Sequence, residues 1–321
     1  MTELLGRIPP EILERIGDLS LNVESQNCQE AIEELLSNTV LSGGKRLRPM
    51  ITFLMGRVLT DKLDSLDPFA KSIEMVHAAS LAHDDVVDNA TTRRGEPSIN
   101  IVSSNKRAVL AGDYLLANVI FQLAHQGDLK IVQKMSSVIT DLAVGEWVQS
   151  DAIEHRNYSK EIIERIAFLK TATVMSFCTW VSAHLENLSE NTCVDAYNVG
   201  KNIGLAFQLM DDTLDFSNDS KKDKLLDIKN NIVNSVVLEW LELNPNKFSE
   251  YKNGADLIDL WSDDHLEQAI SNVKERAYLY MVDAQASLKA VCKESKLGEE
   301  LALERATPLF YIMEFIINRK F

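Results

Sequence analysis

Six aspartates in two equally spaced groups are the residues of this sequence best suited to chemistry. Asp84, Asp85 and Asp88 close the segment HAASLAHDDVVD at 77–88, and Asp211, Asp212 and Asp215 close AFQLMDDTLD at 206–215. Each group reads DDxxD, so on a helix three carboxylates crowd one face, at i, i+1 and i+4. Both end strongly apolar segments, where negative side chains oppose the helix dipole. Either cluster alone could be solvated helix surface. The same costly arrangement twice points instead to a compensating cation, and oxygen-only donors favour a hard divalent ion, particularly Mg²⁺ bridging to phosphate. A glycosidase would use two carboxylates with separated pKa values, not six. Zinc hydrolysis fits less well, because there is no HExxH, and His77 and His83 do not share a helix face.

Basic residues stand in the right company. GGKRLRP at 43–49 supplies Lys45, Arg46 and Arg48, and TTRRG adds Arg93 and Arg94 just beyond the first aspartate group. Lys170 is isolated in the largely apolar stretch IAFLKTATVMSF. Such side chains could hold phosphate oxygens while Mg²⁺ bridges them to the carboxylates. Singly, Lys45 or Arg46 could equally cap a helix or face solvent, and Lys170 could snorkel.

The elements that position these residues are expected to be helices. Of 321 residues 45% are hydrophobic, Gly (13) and Pro (7) are scarce, and no proline falls between Pro97 and Pro245. Apolar periodicity places helices at about 28–41, 48–60, 68–90, 106–126, 129–153, 159–186, 190–217, 228–243, 265–293 and 297–318. Turns are expected at 42–49, 93–97, 125–128 and 217–224, while 245–264 reads as a surface excursion. No repeat, low-complexity tract or linker divides the chain, so residues 1–321 are expected to form one large all-α bundle with a central cavity.

Lys and Arg total 33 against 48 Asp and Glu, a formal charge of −15 that argues against nucleic acid or an anionic membrane as partner. Cys28, Cys178, Cys193 and Cys292 form no CxxC pair, which makes a reducing cytoplasm the default. The most apolar window, 108–124, is shorter than a usual membrane span and carries Asp113, so a buried helix is expected rather than an integral membrane segment.

GGKRLRP at 43–49, HAASLAHDDVVD at 77–88, RRG at 93–95, GEWVQ at 145–149, KTA at 170–172 and GLAFQLMDDTLD at 204–215 resemble, in order, the motif series of the all-helical trans-isoprenyl diphosphate synthases. The match covers most of residues 28–230. The resemblance implies an isoprenoid-synthase bundle that condenses isopentenyl diphosphate with an allylic diphosphate. By it, Asp84, Asp85, Asp88, Asp211 and Asp212 would bind a Mg²⁺ cluster on the allylic diphosphate, with Asp215 completing the second motif. Arg93 and Lys170 would contact that diphosphate. Lys45, Arg48, His77 and Arg94 would hold isopentenyl diphosphate, and Gln208 would lie beside the reacting region. Arg319 or Lys320 would sit near the closing site, and a homodimer is implied.

Family members that stop early often carry an aromatic ring a turn or so before the first aspartates. Here Ala79 and Ser80 are small, which implies a long product, C30 or beyond, with Met75 and Val76 as deeper candidates for the floor. One departure stands out. Relatives usually follow the second aspartates with DLxxGKxTLP, but DIKNNIVNSV at 227–236 puts Asn231 at the glycine and Ile232 at the lysine, a phosphate ligand. Lys229, Lys221, Lys222 or Lys224 could restore the charge. The loss keeps open a weakly active or regulatory subunit of a heteromeric synthase. A class I terpene cyclase also uses aspartate-bound Mg²⁺, but GGKRLRP and RRG provide for a second diphosphate that a cyclase does not need.

Overall fold

A computed structural model describes residues 5–21, 30–216 and 226–318. Twelve helices of two turns or more are labelled here: α1 (Pro10–Asp18), α2 (Glu30–Asn38), α3 (Leu47–Leu59), α4 (Asp67–Val87), α5 (Asn105–His125), α6 (Leu129–His155), α7 (Lys160–Leu185), α8 (Glu190–Leu214), α9 (Ser235–Leu243), α10 (Pro245–Lys252), α11 (Leu266–Lys293) and α12 (Glu299–Asn318).

Local chemistry explains the starts. Ser104 caps α5 by accepting from the Arg107 amide, Asp128 caps α6 at Lys130 and Ile131, Ser189 caps α8 at Thr192, and Asn234 caps α9 at Val236 and Val237. Proline opens α4 in its first turn, where its missing N–H costs nothing.

α3 lies deepest. Ile51, Phe53, Leu54, Met55 and Val58 are fully buried, which is why LRPMITFLMGRVL has no continuous polar face. Each such side chain contributes about 1.5–3 kcal/mol on leaving water. α4 packs chiefly on α5, and α8 on α7 and α11, so both aspartate motifs end helices fixed by extensive burial. The main apolar core takes residues from Ile8 through Ile316.

The all-α expectation agrees with this architecture, with local differences. Helix α1 was not expected, and a two-strand hairpin, Thr92–Arg93 with Glu96–Pro97, forms at the expected 93–97 turn. Arg94 and Gly95 take positive φ there, as a two-residue hairpin loop requires. The helix expected at 228–243 is divided, because Asn231 adopts φ 56° and ends the turn Leu226–Lys229 before Asn234 opens α9. The stretch 245–264 lies largely at the surface, as expected, yet it is ordered and anchored. It contributes α10 and fully buried Tyr251 and Leu257, and the Arg156 guanidinium donates to the carbonyls of Tyr251 (2.9 Å) and Ala255.

Two helices, α5 and α7, are long and apolar enough by length and composition to cross a membrane. The window 108–124, expected to be a buried helix, lies in α5, and only 39% of that helix's apolar window is inside the protein, against 83% for α7. Val109, Leu110 and Phe121 of α5 are exposed.

Candidate active site

The first aspartate triplet divides by role. Asp85 is fully buried; Arg93 Nε donates to its Oδ1 at 2.7 Å, and Nη2 is ion-paired with the same oxygen at 2.7 Å. Asp84 and Asp88 lie less deeply, facing Glu146 of α6 and Lys170 of α7. Burial, reinforced by Glu146 and only partly offset by Lys170, pushes the Asp84 carboxyl up to about 7. Burial and Glu146 raise Asp88 as well.

Lys170 sits in a π-helical turn, Phe168–Ala172, inside α7. Its ammonium group pairs with Glu146 and donates to Gln149 Oε1 at 2.9 Å. Gly145 permits this approach of α6 to α7, since a Cβ there would lie 2.8 Å from Lys170 Cγ. The motif GEWVQ therefore provides the lysine's two partners and the space beside it.

The second triplet is braced by a chain of hydrogen bonds. Thr171 Oγ1 donates to Gln208 Oε1 (2.8 Å), Gln208 Nε2 donates to Asp212 Oδ1 (2.9 Å), and the Ser235 amide donates to Asp212 Oδ2 (3.0 Å). Burial pushes Asp212 up to about 6, against the pull of the Ser235 and Gln208 bonds. Asp211 and Asp215 are half-buried on the same helix end.

Among the described residues, no three His, Cys, Asp or Glu side chains close into a ready metal cage. Asp84 and Asp88 oppose ionisation beside Glu146, and a divalent cation would relieve that opposition, so the donors present fit the ion.

A separate cavity of about 740 Å³ gathers Lys45, Arg48, His77 and Arg94, the four residues expected to hold one substrate. Gly44 makes room for Arg94, whose Nη1 would lie 3.0 Å from a Cβ at that position and which donates to the Ser42 carbonyl at 2.8 Å. Burial, together with Arg48, Arg94 and Arg93, holds the His77 imidazole well below its usual range and hence neutral. Arg46 also lines the cavity but braces α1, donating to the carbonyls of Ile16 (2.8 Å) and Leu19 (3.0 Å).

A second, smaller cavity of about 140 Å³ is lined by Asp84, Glu146 and Lys170 together with apolar side chains. Val76 and Ser80 line it from α4, with Leu116, Ile139 and Leu142 opposite. The i, i+4 and i+8 spacing of Val76, Ser80 and Asp84 puts them on one helix stripe. Ala79 and Met75 are fully buried away from this wall, so Ser80 and Val76 are the cavity-facing members of the expected product-length set.

The polyprenyl synthetase family model matches residues 29–282. The chain belongs to the polyprenyl synthetase family. It is 32% identical over 301 residues to solanesyl-diphosphate synthase 1, mitochondrial, of Oryza sativa subsp. japonica, covering 86% of this chain and 69% of that one. A prenyl transferase of Porphyra purpurea is 40% identical over 186 residues, 56% of this chain and 57% of its own length. The fold matches a decaprenyl diphosphate synthase from Rhodobacter capsulatus at TM-score 0.77, with 25% identity and 99% and 97% of the two chains covered. A polyprenyl synthase from Caulobacter crescentus, complexed with calcium and isoprenyl diphosphate, shares the fold at TM-score 0.80 and 22% identity, over 100% and 98% of the chains. This polyprenyl synthetase is thus a prenyltransferase, as its motif order implied.

Its departure from the family pattern has a local structure. Asn231 can stand where glycine was expected because asparagine tolerates positive φ, and its side chain accepts from the Leu257 amide (2.7 Å) and donates to Asp256 (2.9 Å). Ile232 is half-buried and supplies no charge. Lys229 is exposed, while Lys221, Lys222, Lys224, Arg319 and Lys320 lie outside the described residues. Glu146, Gln149, Thr171 and Glu74 were given no role from sequence, although GEWVQ and KTA already contained three of them. Glu74 gave a weaker signal, a lone carboxylate one helical turn before His77 in an apolar run.

Proposed function

We propose that this polyprenyl synthetase extends an allylic diphosphate with isopentenyl diphosphate, repeatedly, to a polyprenyl diphosphate of C30 or longer. One observation carries the reading. Lys45 and Arg48 meet His77 and Arg94 in one cavity that shares no lining residue with the cavity holding Asp84 and Lys170, which supports separate seats for two diphosphates.

The allylic C–O bond breaks and the diphosphate departs with the electron pair. The double bond of isopentenyl diphosphate then attacks the allylic carbon, forming the new C–C bond. Loss of a proton to the departed pyrophosphate restores a double bond. Asp84, Asp88 and the second triplet would hold Mg²⁺, which would supply positive charge for the leaving diphosphate. Lys170 adds its ammonium there, oriented by Glu146 and Gln149. Arg93 has its Nε and Nη2 engaged by Asp85 and offers its remaining nitrogen. Leu116, Ile139 and Leu142 keep water from the cation.

The reading includes a homodimer, supported by the exposed apolar residues Val109, Leu110, Phe121, Leu129 and Trp147 on α5 and α6. It also includes a cytoplasmic, reducing setting, in keeping with the free cysteines Cys178, Cys193 and Cys292.

The test is incubation of the purified chain with Mg²⁺, isopentenyl diphosphate and allylic primers, followed by product-length analysis and sedimentation. Linear products of C30 or more from a dimer are expected. A cyclic product lacking the isopentenyl unit, or activity only with a second, different chain, would overturn the reading.

A further inference from the structure

The basic cavity contains one residue of the wrong sign for an anion seat. Glu74 projects from α4 one turn before His77 and lines the wall beside Lys45, Arg46, Arg48 and Arg94. It is 8% exposed, and its Oε2 accepts no hydrogen bond. Arg48, opposite in charge, likewise has its buried Nε without a partner. The charged groups acting on Glu74 are Arg48, Arg46 and Arg94, all cations. A buried carboxyl with an unsatisfied oxygen is costly, and any negative charge it carries weakens the cavity's grip on an anion.

That weakening has a use if the cavity receives isopentenyl diphosphate, and the inference rests on that reading. After each condensation the diphosphate in this cavity is the head group of the lengthened chain. Before the next addition that head group must leave for the seat beside Asp84 and Lys170, and a fresh isopentenyl diphosphate must replace it. A cavity exerting the full attraction of its lysine and arginines would keep what it has just made.

We propose that Glu74 is a charge-balancing residue, acting through Arg48, that loosens the basic cavity's hold on diphosphate so that the extended chain passes to the aspartate side. Glu74 forms and breaks no bond of the substrate. Its effect belongs to the step between additions, not to the additions themselves.

The decisive variant is Glu74→Gln, which keeps shape and removes charge. Calorimetry with isopentenyl diphosphate and no primer should show binding about tenfold tighter than in the parent protein. In steady state, KM for isopentenyl diphosphate and kcat should fall together. Rapid-quench measurement should show the first addition at the parental rate and later additions slowed, so that the once-extended intermediate accumulates. Glu74→Asp, retaining the charge, should keep the parental ratio of first to later additions. If Gln prevents folding, Glu74→Met carries the same expectations.

Weaker binding in the Gln variant would make Glu74 a brace for Arg48 and overturn the proposal, as would equal slowing of every addition or no change. Failure of the parent protein to bind isopentenyl diphosphate or to extend a primer would instead overturn the underlying functional reading.

Discussion

Asp85 and Arg93 are joined through a single carboxylate oxygen. Two guanidinium nitrogens reach Oδ1 at 2.7 Å, while Oδ2 is buried and accepts nothing. The middle aspartate of the first triplet thus anchors the hairpin that carries Arg93 and Arg94. Asp85→Asn should lower stability by about 2 kcal/mol, the scale of a hydrogen bond to a charged group, and should raise KM for the allylic substrate. Urea unfolding and steady-state kinetics on the same preparation check both. Loss of turnover with unchanged stability would make Asp85 a ligand instead of a strut.

Asp84 should behave in the opposite way. Its carboxyl sits near 7 in the folded chain against an ordinary 3.8, so the folded state binds the extra proton. Without metal, the penalty is absent below about pH 4, grows as pH rises, and is complete above 7. Asp84→Asn should therefore abolish prenyl transfer yet raise metal-free stability at pH 8 by about 4 kcal/mol, with little gain at pH 4. Thermal unfolding in chelator across that range measures it. Mg²⁺ with pyrophosphate should stabilise the parent protein and not the variant.

His77 predicts an acid-side loss. Its imidazole is held neutral well below 6.5, whereas the unfolded chain takes up a proton near 6.5. Stability is therefore unaffected above that pH and declines as pH falls below it. His77→Gln should flatten this decline between pH 6.5 and 5 while weakening isopentenyl diphosphate binding at every pH. Chemical unfolding at several pH values, paired with calorimetry, distinguishes the two effects.

Ile232 offers a gain-of-function test. It is half-buried, three residues before the Ser235 amide that holds Asp212. Ile232→Lys should raise kcat/KM for the allylic substrate about fivefold, the worth of one additional charge-assisted contact, with little change in melting temperature. No change would mean that the cation is supplied from elsewhere.

Much of this architecture was legible because helical periodicity and acidic or basic clusters are local properties of sequence. The seating of Lys45 and Arg48 beside His77 and Arg94 agrees with motif order alone. Other features depend on how one helix lies against another. Ser80 faces the cavity while neighbouring Ala79 packs into the core, and only the rotation of α4 decides between them. Tyr251 is buried because Arg156, far away in sequence, satisfies the backbone around it. Helix α1 is short and amphipathic, and its C-terminal carbonyls, at Ile16 and the C-cap Leu19, accept from Arg46.

The π-helical turn at Phe168–Ala172 changes the phase of α7. One residue too many in a turn rotates everything beyond it by about 100° relative to an unbroken α-helix. Residues 160–167 and residues 173–185 therefore obey different readings of the same periodicity, with Lys170 and Thr171 at the splice. Removing a single residue there would leave composition and apolar content almost untouched. It would nevertheless bring the two halves into one frame, and the wall that now packs against α3 and the side chains that now meet Glu146 and Gln208 could no longer both find their places.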